Sequence, residues 1–160
     1  MDDGILRPNA IRLTEHAAGR DDAIRRCGGV LVEIGAVDPA YVEAMLAREE
    51  SISTYVGEGV AIPHGTLEGK SAVRRDALAV LRFPETVDWD GNPVTVCVAI
   101  AAQGDGHVDL LAELAEILLD EDRAAALRAA TDPDEVMTLL NPRAASGRSG
   151  AEPAVERPAN

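Results

Sequence analysis

Residues Val94 to Ala102 form an almost unbroken apolar run, interrupted only by Thr95. A strand with no polar side is buried on both faces, so it needs a covering layer above and another below. The chain offers both layers. Ala23, Ile24, Cys27, Val30, Leu31 and Ile34 recur at spacings of three and four and predict an amphipathic helix, with Gly35 as its stop. Gly28 and Gly29 fall inside that helix, each costing on the order of 1 kcal/mol relative to Ala unless a close packing contact compensates. Asp38-Pro39 predicts a second helix, with Asp38 as the cap, Pro39 at the first helical position and Val42, Met45 and Leu46 as its stripe.

Short extended segments are expected at Ile11-Arg12-Leu13, Ser53-Thr54-Tyr55 and Val60-Ala61-Ile62. Asp76 to Arg82 alternates like a strand, and Asp90-Gly91-Asn92-Pro93 reads as the turn joining it to the apolar run. Trp89 beside that turn reads as a packing anchor. Leu110, Leu111, Leu114, Ile117 and Leu118 form a helical stripe that starts from His107, and further helices are expected over Arg123 to Ala130 and Asp134 to Leu140. The resulting fold class is α/β: a single domain with a mixed β-sheet and helices packed on both faces. A chain of 160 residues suits one such domain with a sizeable core. From Asn141 onward the composition shifts to Pro, Gly, Ser, Ala and Arg without periodicity, so the expected organisation is a domain over residues 1–140 and a disordered tail over residues 141–160.

Asp and Glu number 28 against 15 Lys and Arg, for a net charge of −13. Such a surface argues against nucleic acid as a partner, whereas a small basic protein would be drawn to it. Cys27 and Cys97 match neither metal-ligand spacing nor a local redox motif, and two buried thiols are expected. The N-terminus has no basic and apolar leader, and no stretch approaches the roughly 20 apolar residues that a membrane helix needs. A cytoplasmic protein that is not inserted in the membrane is expected.

The chemistry concentrates in histidine. In Ala61-Ile62-Pro63-His64-Gly65-Thr66 one histidine stands between a rigid proline and a glycine at the end of an apolar segment, which fixes its backbone and presents its ring. With an ordinary pKa of about 6.5, imidazole is a reversible nucleophile near neutral pH. A purely structural loop histidine fits the local pattern equally well. His107 stands at the start of a helix, where Asp105 and Gly106 can cap and unpaired backbone N–H groups favour an anion. Without a partner site, packing beneath the helix is the simpler account of it. Arg48 ends the second helix; it either favours that helix end or forks onto phosphate oxygens. His16 lies in a polar segment and carries no assigned role. Phosphate-binding loop, dinucleotide glycine fingerprint, paired zinc histidines and glycine-flanked serine elbow are all missing from the sequence.

With those residues in view, the chain resembles the enzyme IIA proteins of the mannitol/fructose class in the bacterial phosphoenolpyruvate-dependent sugar phosphotransferase system. The resemblance covers about residues 9 to 140. It rests on Arg48-Glu49, Ser53-Thr54-Tyr55, Gly59 through Thr66, the apolar strand to Ala102, His107 before a leucine-rich helix, and Asp132-Pro133-Asp134-Glu135-Val136 with Leu139-Leu140. Gly65-Thr66 is similar to the mannitol branch. The loop Ala102-Gln103-Gly104-Asp105-Gly106 departs from the family by carrying two glycines where more polar and charged residues are usual.

The resemblance implies a phosphotransferase acting as a relay. His64 would accept a phosphoryl group from a histidine-containing phosphocarrier protein, with His107 steadying the group and Arg48 beside it. The group would then pass to the IIB domain of a mannitol permease, with no metal, nucleotide or other cofactor required. The alternative within the resemblance is a nitrogen-related regulator acting through phosphorylation-dependent protein binding. A zinc hydrolase built on His64 and His107 is disfavoured, because a catalytic zinc site usually takes three protein ligands and no third is evident.

Overall fold

The structure, a computed structural model, describes residues 5–66, 68–103 and 106–140, with the side chains of 68, 70 and 106–111 outside that description. The expected tail over 141–160 lies outside the described residues. Five strands form one mixed sheet: β1 (Ile11–Arg12), β2 (Tyr55–Gly57), β3 (Val60–Ala61), β4 (Ala77–Trp89) and β5 (Asn92–Ala101), in the spatial order β1-β4-β5-β3-β2. β1 runs parallel to β4 and β3 parallel to β5, while β4 pairs antiparallel with β5 and β2 antiparallel with β3. The apolar run is thus a central strand, flanked by β4 and β3.

Alternation along β4 and β5 divides the interior into two layers. Ala77, Ala79, Leu81, Phe83, Cys97, Ala99 and Ala101 face α1 (Arg20–Glu33) and α2 (Ala40–Ser51), which contribute Ile24, Cys27, Leu31 and Met45. Leu78, Val80, Val96, Val98 and Ile100 face the opposite way, onto α3 (Gly106–Leu118), α4 (Glu121–Ala129) and α5 (Pro133–Leu140), which contribute Leu114, Ile117, Leu127 and Leu140. The mixed sheet with helices on both faces is the architecture expected from the sequence. Cys27 and Cys97 are free, buried and in the same layer, and burial pushes the Cys97 thiol well up.

Gly28 does lie at a close approach: a Cβ there would come within 2.7 Å of Val42 Cγ2 on α2. Gly35, at φ +79, ends α1 in the left-handed region, with the Ala36 N–H returning to the Leu31 carbonyl at 2.9 Å.

Three expectations are corrected. Asp38 does not cap α2. Its carboxylate accepts from Arg74 and its carbonyl accepts from the Tyr41 N–H, while Pro39 stands one position before the first helical residue. β4 does not end at Arg82 but continues to Trp89 past a register irregularity between Arg82 and Val87; that irregularity accommodates Pro84. The turn is also shorter than the four-residue cluster. Asp90 and Gly91, at φ 55 and 95, make a two-residue hairpin of the kind that suits strand twist, while Asn92 and Pro93 already pair with Trp89 and Asp88.

Candidate functional site

β3 delivers the proline-histidine segment to the middle of the sheet. The Ile62 N–H donates to the Thr54 carbonyl at 3.0 Å, the Ile100 N–H donates to the Pro63 carbonyl at 2.9 Å, and His64 itself pairs with Ile100 as a parallel bridge beyond the end of β3. The histidine is therefore held by the central strand and is not free to swing with a loop. It is also less open than the sequence suggests: His64 is only 8% exposed. Its Nδ1 lies 2.9 Å from the Ile62 carbonyl oxygen. A carbonyl oxygen can only accept, so this bond puts the proton on Nδ1 and assigns the lone pair of the neutral ring to Nε2.

Tyr41, which sequence reasoning did not single out, holds the following residue. Its hydroxyl accepts from the Gly65 N–H at 2.9 Å and donates to the Ile100 carbonyl at 2.8 Å. Burial raises the Tyr41 pKa above its ordinary value, with the Gly65 hydrogen bond opposing that shift. The Tyr41 ring also explains Gly65: a Cβ there would stand 2.5 Å from Tyr41 Cε1. Beyond it, the Gly69 N–H reaches both Thr66 Oγ1 and the Thr66 carbonyl at 3.1 Å, turning the chain into a short 3-10 helix, Glu68–Ala72.

Arg48 lies in the last turn of α2 and donates from Nη1 to the Ile52 carbonyl at 2.6 Å, so in this structure it serves its own helix end. The next residue, Glu49, is 3% exposed. Its carboxylate accepts from the Thr54 N–H and the Trp89 Nε1–H, both at 2.9 Å, and from the Thr54 hydroxyl. Trp89 is thus a packing anchor, as expected, and a hydrogen-bond donor as well. Arg48 and the His64 strand are tied to one short segment, since Ile52 receives Arg48 and Thr54 receives Ile62.

His107 occupies the second position of α3, and its side chain, like Asp105, lies outside the described residues. His16 is exposed, with Nδ1 4.0 Å from a Glu85 carboxylate oxygen. Tyr41 and Glu49 did leave a trace in the sequence: with Met45 they recur every fourth residue along the buried face of α2, and a carboxylate in such a stripe signals a buried polar network. Among the described residues no cluster of three or more His, Cys, Asp or Glu side chains could hold a metal ion. No described helix is long and apolar enough to cross a membrane.

Comparison with known proteins places this geometry in a family. The family model described as "Phosphoenolpyruvate-dependent sugar phosphotransferase system, EIIA 2" matches residues 4–142. The mannitol-specific phosphotransferase enzyme IIA component of Halalkalibacterium halodurans is 39% identical over 88% of this chain and 97% of its own. Among solved structures, the complex of enzyme IIA mannitol and phosphorylated enzyme IIB mannitol from Escherichia coli aligns with a TM-score of 0.78 at 35% identity, covering 90% of this chain and 100% of that chain. The nitrogen regulatory protein IIA-Ntr from Neisseria meningitidis aligns at 0.76 with 27% identity, covering 87% and 98%. The chain belongs to the EIIA 2 family of the phosphoenolpyruvate-dependent sugar phosphotransferase system.

Proposed function

We propose that this protein is a cytoplasmic phosphohistidine relay of mannitol uptake, and that residues 1–140 carry the activity. His64 accepts the phosphoryl group from a histidine-containing phosphocarrier protein and hands it to the IIB domain of a mannitol permease. The observation that carries the assignment of the reacting atom is the hydrogen bond from His64 Nδ1 to the Ile62 carbonyl. It leaves the electron pair on Nε2, so that pair forms the new bond to phosphorus while the donor's phosphorus–nitrogen bond breaks and its bonding pair returns to the donor's ring nitrogen. Nδ1 keeps its proton, and the Ile62 carbonyl stabilises the positive charge that the ring gains.

Exchange between two nitrogens changes free energy little, so the work falls to alignment and to charge stabilisation of a loose phosphoryl group. Arg48 and His107 are the groups we assign to that stabilisation, together with the N-terminus of α3. Arg48 then exchanges the Ile52 carbonyl for phosphoryl oxygens, a stronger charge-assisted partner. The mannitol reading is supported by the mannitol-specific component of Halalkalibacterium halodurans and the Escherichia coli mannitol IIA–IIB complex, which this chain resembles, and by Gly65-Thr66. The nitrogen regulatory protein aligns at lower identity.

The test is intact-mass and peptide mapping after incubation with phosphoenolpyruvate, enzyme I and the phosphocarrier protein. The expected result is one acid-labile phosphoryl group on wild-type protein and none on His64→Ala. Arg48→Ala should keep its fold and lose about 10²–10³ in transfer rate, the usual effect of removing one charge-stabilising donor. An Arg48→Ala variant with the wild-type rate would remove Arg48 from the mechanism.

A further inference from the structure

We propose that Tyr41 and Glu49 are positioning residues which, from one buried face of α2, hold the backbone on either side of His64 and thereby fix the tautomer of its ring. The proposal rests on the reading of His64 as the phosphoryl acceptor, and it extends the site to two residues that do not touch the phosphoryl group.

The downstream brace is the Tyr41 hydroxyl. It accepts from the Gly65 N–H and donates its own proton to the Ile100 carbonyl, while the Ile100 N–H donates to the Pro63 carbonyl. Tyr41 and Ile100 together secure a peptide group before His64 and one after it. The upstream brace is Glu49. Trp89 and Thr54 donate to its carboxylate, the Thr54 carbonyl takes the Ile62 N–H, and the Ile62 carbonyl takes the His64 Nδ1–H. An unbroken series of hydrogen bonds therefore runs from Trp89 through Glu49, Thr54 and Ile62 to the imidazole.

Core packing alone does not call for either polar group. Phe would fill the Tyr41 site without a hydroxyl to satisfy, and Leu or Met would continue the stripe at Glu49 without the desolvation cost of a buried carboxylate. What the polar atoms supply is a fixed position for the Ile62 carbonyl relative to the ring. A neutral imidazole in water favours its proton on Nε2, the tautomer in which Nε2 has no lone pair for attack. The bond to Ile62 reverses that preference, and it does so only while the Ile62 carbonyl and the His64 backbone keep their relative placement.

The experiment is ¹⁵N NMR of the histidine side chains in the full-length protein at a pH of about 8.5, two units above the ordinary imidazole value. The His64 signals are identified by their loss in His64→Gln. Wild-type protein should show the Nδ1–H tautomer. Tyr41→Phe and Glu49→Ala should shift His64 measurably toward Nε2–H and lower kcat for phosphoryl uptake about ten-fold or more, with the KM for the phosphocarrier protein unchanged, as expected of misplacement without loss of docking. Glu49→Gln should restore most of both signals, because its amide oxygen can take the two N–H donors. Should Glu49→Ala not fold, Glu49→Leu removes the carboxylate while refilling its space on the stripe. Folded Tyr41→Phe and Glu49→Ala (or Glu49→Leu) proteins that keep the Nδ1–H tautomer would overturn the proposal. A wild-type protein that shows the Nδ1–H tautomer yet takes up no phosphoryl group would overturn the relay reading instead, so the two failures are distinguishable.

Discussion

Gly65 lacks a side chain because Tyr41 occupies the space in which one would stand. Gly65→Ala forces a Cβ against an aromatic ring that is pinned by two hydrogen bonds, and overpacking of that kind costs about 1–3 kcal/mol. The expected result is a lower urea midpoint together with slower phosphoryl uptake, because relief moves either the Tyr41 ring or the backbone next to His64. A second prediction concerns the same hydroxyl. The folded state holds Tyr41 protonated above its ordinary pKa of 10.0, chiefly through burial. Its contribution to stability is therefore complete below pH 10.0 and is lost as pH rises through the higher folded value. Wild-type stability should fall more steeply above pH 10.0 than that of Tyr41→Phe, and denaturant titrations across that range would measure the difference.

At the scale of elements, α1 and α2 approach each other at Gly28, which explains one of two adjacent glycines in a helix and leaves the other without a packing role. Gly29 is exposed, with nothing within 4 Å of a Cβ built on it, whereas Gly28 would meet Val42 at 2.7 Å. Gly29→Ala should stabilise the protein by about 0.5–1 kcal/mol through helix propensity and the reduced freedom of the unfolded chain. Gly28→Ala gains the same propensity but separates two helices, so its net effect should be a loss of about 1–3 kcal/mol. Opposite signs at neighbouring positions, read from thermal or urea unfolding, are the expected outcome; a stabilising Gly28→Ala would mean that α2 yields easily. Because α2 carries Tyr41 and Glu49, Gly28→Ala should also slow phosphoryl uptake.

For the whole molecule, the sheet separates two apolar clusters of described residues, one on each of its faces. Leu31 lies in the layer under α1 and α2, and Leu127 in the layer under α3 to α5, both almost fully buried. Leu31→Ala and Leu127→Ala should each cost about 2–5 kcal/mol. In the double variant the costs should add to within about 0.5 kcal/mol, as for sites without shared partners. Their functional effects should differ. Leu31 is in the layer that carries α2, so its truncation should disturb His64 more than an equal loss of stability on the other face, as comparison of transfer rates at matched stability would show.

What the sequence by itself determined are the features that local pattern can encode. The apolar β5, the periodic helices on either side of it and Pro63-His64-Gly65 each lie within a few consecutive residues, so the two-sided sheet and the candidate nucleophile were legible without coordinates. Trp89 as an anchor was legible for the same reason, whereas the contact that singles out Gly28 from Gly29 was not. Tertiary structure alone decided the features that depend on partners far apart in the chain. Tyr41 reaches Gly65 and Ile100, Glu49 reaches Trp89, and Asp38 goes to Arg74 in place of the cap that its neighbourhood suggested. β4 continues to Trp89 because β5 supplies hydrogen-bond partners on the far side of an irregularity that breaks the sequence pattern. The burial of His64 and the proton on its Nδ1 follow from the same cause. Periodicity reports which way a side chain faces, whereas the environment and hydrogen-bond partner of an imidazole are set by segments that only folding brings together.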